Sequence, residues 1–423
     1  MTPVTCQTSS LNGRTGRRCP GLCWVLALAF TTNVSAANWP AWRGPRGDGI
    51  TSEQSLPVRW SSTQNILWRT PLPAAGNSTP IVWDGRVFVT CPIKDGKLRR
   101  LLCFDRATGA ELWRYDVPYA EEETWHPDNP FCTASPTTDG ERVYASFGSA
   151  GIIACSFDGE LVWHRSPGRL AHEFGLATTC VLYRDLLIVY RGPGEPTHII
   201  AVDKRTGRTV WDRPERAKNH GMFGSYSVPL IVPVGDHDEM VLTLPDELKA
   251  FNPLNGKPLW RCAGLGPAIH AMPAAGDGIV FGLGGVPGGI LAVRTGGLGD
   301  VTGTHRLWED HGNQRRIGSA VCHGGFLYVA DASGIARCLN ARTGEVVARR
   351  RLAGRLWGSV VLSTDRLYFS NTDGNVFVLS ADTDLRRIAH NRIDEEMKAS
   401  LAPSDGQLFI RTWEHLYCIG QPQ

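Results

Sequence analysis

The 423-residue sequence predicts an all-β fold, an eight-bladed β-propeller of four-stranded antiparallel blades, on three observations. Tryptophans that end similar segments recur at near-constant spacing. Eight alternating β runs follow turn signals. An isolated strand-like segment near the N-terminus supplies a strand that the last unit lacks.

The tryptophan series runs TGAELW at Trp113, DGELVW at Trp163, TGRTVW at Trp211, NGKPLW at Trp260 and THRLW at Trp308, with intervals of 50, 48, 49 and 48 residues. That period is blade-sized. Two units follow at a spacing of about 40, TGEVVA around Ala348 and the degenerate TDLRRI around Ile388. The β runs are RVFVT, RVYASF, LLIVY, MVLTL, GIVFGL, FLYVA, RLYFS and QLFIR, several preceded by turns such as Asp84-Gly85, Asp139-Gly140 and Asp405-Gly406. Between β run and Trp strand stands a small residue, one position, then an acid or amide: Cys103-x-Asp105, Ala201-x-Asp203, Ala250-x-Asn252, Cys338-x-Asn340. A short acceptor there bonds the backbone of the Thr-Gly or Asn-Gly turn, while the Trp packs between adjacent sheets.

The eighth unit stops at 418–423, before a Gly turn and final strand. Ile66-Leu67-Trp68-Arg69-Thr70 reads as that strand, so the N-terminus is expected to complete the last blade and remove two open sheet edges. The expected organisation is a signal peptide at 1–36, a leader at 37–65 and one propeller domain at 66–423.

Composition agrees with short strands and turns: 47 Gly, 27 Pro and 14 Trp against 5 Met and 20% charged residues. Arg14, Arg17 and Arg18, the apolar run from Leu22 to Phe30 and the small-residue pattern Val34-Ser35-Ala36 read as an export signal. The run is about half the roughly 20 residues a membrane span needs, so no anchor is expected after cleavage, and the location is periplasmic or otherwise extracytoplasmic. Losing three arginines brings the basic count from 44 to 41, equal to the 41 acids, which argues against a nucleic-acid surface. Nine cysteines remain in the mature chain without a Cys-x-x-Cys pair, and read as buried thiols.

Ala201-x-Asp203-x-x-Thr206-Gly207-x-x-x-Trp211 resembles the blade signature of the bacterial pyrroloquinoline-quinone-like repeat family, and Cys103 to Trp113 resembles it too. NWPAWRGPRGDGIT, with Trp39, Trp42, Arg43, Gly44 and Gly47, is similar to the leader of a group of exported propellers of this type. The resemblance implies a quinoprotein-like fold and two divergent activities: dehydrogenases holding the quinone with calcium, or non-catalytic propellers such as the barrel-assembly lipoprotein. The dehydrogenases set the quinone against a disulfide of adjacent cysteines and roof it with long insertions. This chain has neither, so no cofactor and no enzymatic activity are expected, with a quinone-dependent dehydrogenase as the alternative.

A second periodicity follows the blades. His126, His172, His220 and His270 recur at intervals of 46, 48 and 50, each after a Trp strand and before the next inner strand, so all four are expected at one mouth of the channel. Arg315 and Arg316, then Arg355 and Trp357, then Lys398 take the corresponding places in later blades. With Asn129, they read as a partly cationic site for an anionic ligand or a protein partner; an ordinary wet channel mouth accounts for the same pattern. Metal binding is not expected, because ligand atoms on separate inner strands stand farther apart than the roughly 2 Å bonds a transition metal needs. The irregular stretch 119–132, with Glu121 to Glu123 and Asp128, reads as a lid or a solvated loop. Asp236-His-Asp-Glu239 reads as a surface turn, and Gly282 to Gly289 as a strand turning into a loop rather than a phosphate loop.

Overall fold

Eight short β runs separated by glycine turns form eight antiparallel sheets in the computed structural model, which describes residues 1, 37–194, 196–215 and 224–421. The expected signal segment lies, apart from Met1, outside the described residues. Each of the eight β runs identified in the sequence is the second strand of one sheet. The blades span 81–118, 137–165, 181–214, 230–263, 274–310, 321–351, 361–392 and 402–419, numbered here 1 to 8, with strands a to d running from the channel outward.

Strands b and c are largely apolar and buried along their length, as in Leu186–Arg191 and His198–Asp203, because each sheet is covered on both faces by its neighbours. Strand d is wetter, as in Thr209–Pro214, because one edge faces solvent. The d-strand tryptophan always lies opposite a small or slender residue of strand c, for example Trp113 opposite Cys103 and Trp211 opposite Ala201, and a register shift follows at once. In blades 6 and 7 the same place holds Ala348 and Ala389, so in blade 7 the counterpart stands one residue beyond Ile388.

The indole N–H of each Trp reaches a carbonyl in the c–d turn of the following blade: Trp68 to Arg106 (2.8 Å), Trp113 to Phe157 (2.7 Å), Trp163 to Lys204 (3.0 Å), Trp211 to Pro253 (3.2 Å) and Trp308 to Ala341 (2.9 Å). The turn is set by the expected acceptor. Asp203 Oδ1 takes the Thr206 N–H and hydroxyl, both at 2.8 Å, and these bonds, the hydroxyl foremost, hold the carboxyl below its usual range. Gly207 has φ +71°, and a Cβ there would lie 2.8 Å from the Trp163 indole. Gly207→Ala is therefore expected to cost about 1–3 kcal/mol through strain and lost docking, read as a lower urea midpoint at unchanged slope. An unaltered midpoint would contradict this account of the turn.

Trp260 departs from the pattern. The c–d connection of blade 5 is long, and its Gly299–Asp300 segment pairs with the outer strand of blade 4 instead of presenting a tight turn. The Trp260 indole bonds Glu239 in its own blade at 2.8 Å, and Glu239 also accepts the Gly296 N–H at 3.1 Å. Glu239 is thus 1% exposed, against the expectation of a surface turn, because it replaces the missing turn carbonyl.

Closure follows the expectation. Ile66–Pro71 pairs antiparallel with His415–Ile419, Trp68 opposite Cys418, and the Trp68 ring stands 6.0 Å from Phe409. The leader is no separate appendage. Trp39 pairs with Val82 of blade 1, Ile50–Thr51 joins the inner strand of blade 7 in parallel, and Leu56 and Trp60 pack in the core of blades 7 and 8. All nine cysteines among the described residues are free and buried, and no helix among those residues is long and apolar enough to cross a membrane.

Candidate functional site

The leader crosses the channel. The Thr138 N–H of blade 2 donates to the Pro40 carbonyl at 2.9 Å, while Arg43, three residues on, donates to Ala320 of blade 6 (2.7 Å) and Val360 of blade 7 (2.5 Å). Blades 2 and 6 are opposite in a ring of eight, so the chain passes over the axis between them. Gly44 and Gly49, both at φ +79°, let it turn tightly there: a Cβ would strike the Trp39 ring at 2.6 Å and the Arg43 guanidinium at 2.4 Å. The leader motif thereby makes the channel a chamber closed at the a–b end, with Trp42 as its floor and the d–a loops as its rim.

The chamber encloses about 420 Å³. Just above the floor runs a collar of hydroxyls, each taking an amide N–H from the neighbouring blade, at the position two residues before strand a. Thr79, Ser135, Thr179, Ser319, Ser359 and Ser400 hold that position; Val228 and Met272 hold it in blades 4 and 5. Higher up, Phe174, Tyr226, Val286 and Trp357 supply apolar walls.

Of the residues expected at the mouth, the structure brings His126, Asn129, His270, Arg315, Trp357 and Lys398 to the chamber wall. His126 stands 4.9 Å from Phe174, and Asn129 is oriented by donating to the Phe174 carbonyl at 2.7 Å. His172 lies one layer behind, its Nδ1 3.1 Å from the Tyr226 hydroxyl, so Tyr226 rather than His172 faces the chamber. His220 falls outside the described residues. Arg316 does not belong to the mouth: it is 0% exposed, wedged between blades 5 and 6 against Asp310, Gln314 and the Gly289 carbonyl, because adjacent residues of an extended segment point opposite ways. Trp42, Tyr226, Phe174 and the collar escaped the sequence reading. The collar was visible in principle, as a Ser or Thr two places ahead of most inner strands.

The electrostatics differ from a ring of titrating histidines. His270 Nδ1 lies 3.1 Å from the Arg316 carbonyl, and because a carbonyl only accepts, Nδ1 is the protonated, donating nitrogen and Nε2 is left as an acceptor. Burial, with Arg315 adding, lowers its pKa to about 4, so this imidazole is neutral across the physiological range. Lys398 is nearly buried and neutralised by Asp128 (3.0 Å) and Glu396 (2.7 Å), with Trp413 and Trp357 rings beside its ammonium. Burial alone would raise the Asp128 carboxyl, but Lys398, with Arg355 and His126 adding, holds it below the usual carboxylate range. Arg355 lies over Trp357 at 4.4 Å and 3.4 Å from Asp128. Arg315 is the exposed cation: among the described residues no acid lies within ion-pair distance of it.

Calcium takes about six to eight oxygen ligands, several of them carboxylates. Asp128 is the one carboxylate lining the chamber among the described residues, and both its oxygens face cations. The donor set therefore does not fit a quinone-calcium centre. Glu395, Glu414 and His415 gather elsewhere, at blade 8 and the loop before it, where Glu395 accepts from Thr412 and from Tyr417 at 2.5 Å, lies 2.9 Å from His415 Nδ1 and serves to brace a turn.

The family profile described as outer membrane protein assembly factor BamB matches residues 50–173 and 195–421, most of the chain. This chain belongs to that family of PQQ-like propellers. No curated protein matches the sequence. Among solved structures, BamB from Moraxella catarrhalis is similar at TM-score 0.52 and 20% identity, covering 74% of this chain and 98% of that one. The quinohemoprotein alcohol dehydrogenase ADHIIG from Pseudomonas putida HK5 is similar at TM-score 0.63 and 11% identity, over 92% and 81% of the two chains. The computationally designed protein Ika8 is similar at TM-score 0.60 and 13% identity, over 83% and 98%. At these identities the family members and their structural relatives share the fold, which hosts both a dehydrogenase and an assembly factor, and the site alone must speak for function.

Proposed function

We propose that this chain is a non-catalytic, extracytoplasmic binding propeller that takes a small anionic ligand through the open mouth of its chamber. The observation that carries the reading is the chamber itself: about 420 Å³, closed at one end, with an exposed arginine, Arg315, at its rim that no acid among the described residues pairs with. That volume is in the range of small-molecule sites, roughly 300–1,000 Å³, and its mix of aromatic walls with a few polar groups is what such sites share. A folded protein partner would meet the rim but could not fill the interior. Membership in the BamB family supports a binding role over a catalytic one, and the N-terminal signal supports export.

The test uses 8-anilinonaphthalene-1-sulfonate, an anionic aromatic probe, on the mature protein. It is expected to bind one site, less tightly as salt rises, and Arg315→Glu should weaken it by about tenfold by reversing the rim charge. Pyrroloquinoline quinone with calcium is expected to give neither a thermal shift nor alcohol oxidation with artificial acceptors. Saturable quinone-dependent turnover, or dye binding indifferent to Arg315, would reject the reading.

A further inference from the structure

Five collar hydroxyls that line the chamber share one feature of bonding. Ser400 N donates to Thr79 Oγ1 (3.0 Å), Thr79 N to Ser135 Oγ (2.9 Å), Ser135 N to Thr179 Oγ1 (3.0 Å), Ser319 N to Ser359 Oγ (3.0 Å) and Ser359 N to Ser400 Oγ (3.0 Å). All five side chains belong to residues no more than 4% exposed. Each oxygen is thus engaged as an acceptor by a backbone amide, and what a hydroxyl so engaged has left to offer is its proton. Among the described residues none of the five protons has a protein acceptor. Buried donors of this kind need one, and these five surround the same axis.

Charge beneath the floor has the matching sign. Arg43 follows the floor residue Trp42, is 3% exposed, and bonds only backbone carbonyls, two of them belonging to Val360 and Ala320, the residues directly after Ser359 and Ser319 of the collar. No carboxylate among the described residues forms an ion pair with it. Even with burial lowering its pKa to about 10, the guanidinium is charged at neutral pH. Hydroxyl donors lining one chamber and backed by a buried cation favour concentrated negative charge on oxygen over a neutral or cationic group.

We propose that the bottom of the chamber is an oxyanion site, in which the hydroxyl collar holds the carboxylate or phosphate head of a small molecule. The apolar body of that molecule lies against Phe174, Tyr226 and Trp357, below Arg315. This rests on the chamber being a ligand site and assigns which end of the ligand goes in first.

Calorimetry on the mature protein with benzoate, phenylphosphonate and their neutral counterpart benzamide tests it, and inorganic phosphate shows whether the head suffices alone. At least one of the two oxyanions is expected to bind at least about tenfold more tightly than benzamide, and their ratio tells carboxylate from phosphate. Thr179→Val should reduce that preference about tenfold, whereas Thr179→Ser, which keeps the hydroxyl, should preserve it. If Thr179→Val does not fold, the wild-type preference and the Thr179→Ser result still decide. Equal binding of benzamide and both oxyanions, abolished by Trp357→Ala, would overturn the oxyanion assignment while leaving the chamber a binding site. Failure of all four probes to bind at millimolar concentration would overturn it as well.

Discussion

A chain lacking residues 37–71 is expected to show no cooperative unfolding transition. The deletion removes the strand Ile66–Pro71 from blade 8 and with it the Trp68 dock on blade 1, leaving two sheet edges open. It also removes Trp39, Trp60 and the cross-channel segment that ties blade 2 to blades 6 and 7. Each buried tryptophan is worth about 3–5 kcal/mol, and three together match or exceed the roughly 5–15 kcal/mol by which a domain is stable. A shorter deletion of 37–60 keeps the closing strand and should leave a folded but weakened ring with a channel open at both ends. Circular dichroism in a urea series distinguishes the two. An undiminished transition in the longer deletion would refute closure by the N-terminal strand.

Between pH 6.5 and 4 the protein is expected to lose up to about 3 kcal/mol of stability through His270 alone. The unfolded chain protonates this imidazole near 6.5, while the folded protein resists until about 4, because burial, and then Arg315 and Arg355, oppose the charge. In that window the unfolded state binds the extra proton, so stability falls as pH falls, and the loss from this group is complete below about 4. The ring also packs on Tyr226, and a Cβ at Gly285 would come within 2.1 Å of its Nδ1, so there is no room to rotate toward water. His390 is lowered in the same direction by burial and by Arg387 and Arg392, but it is more exposed and adds less. His270→Gln keeps a donor for the Arg316 carbonyl and should flatten most of the slope in urea midpoints taken across this range. A slope unchanged by that substitution would show that His270 titrates normally. The same argument removes His270 as a source of tighter anion binding in mild acid.

What was legible in the sequence was what short-range physics dictates. The Trp and Gly of each c–d turn, the Asp or Asn that ties it, and the alternation of each β run are fixed within about ten residues, so they repeat visibly and yield the number of blades and the closing strand at Ile66–Pro71. Where the local pattern lost its Trp, in blades 6 and 7, the blade and its register remained, and in blade 7 the Trp place is Ala389, one residue beyond the Ile388 around which that unit reads in the sequence.

The tertiary structure decided everything that depends on bringing distant blades together. Nothing around Trp42 and Arg43 says that the next groups they meet are on blades 6, 7 and 8, yet that passage over the axis turns a channel into a chamber. Arg315 and Arg316 are neighbours of identical chemistry, and only the direction of the chain makes one an exposed rim cation and the other a buried strut. His126 and His270 share a period with His172, but the period fixes only their height on the ring, not whether Tyr226 stands in front. Glu239 became an interior acceptor because a loop some sixty residues later failed to make its usual turn. Periodicity is a property of one chain segment at a time, whereas burial, charge and acceptor supply belong to the space between segments, and the site is made of the latter.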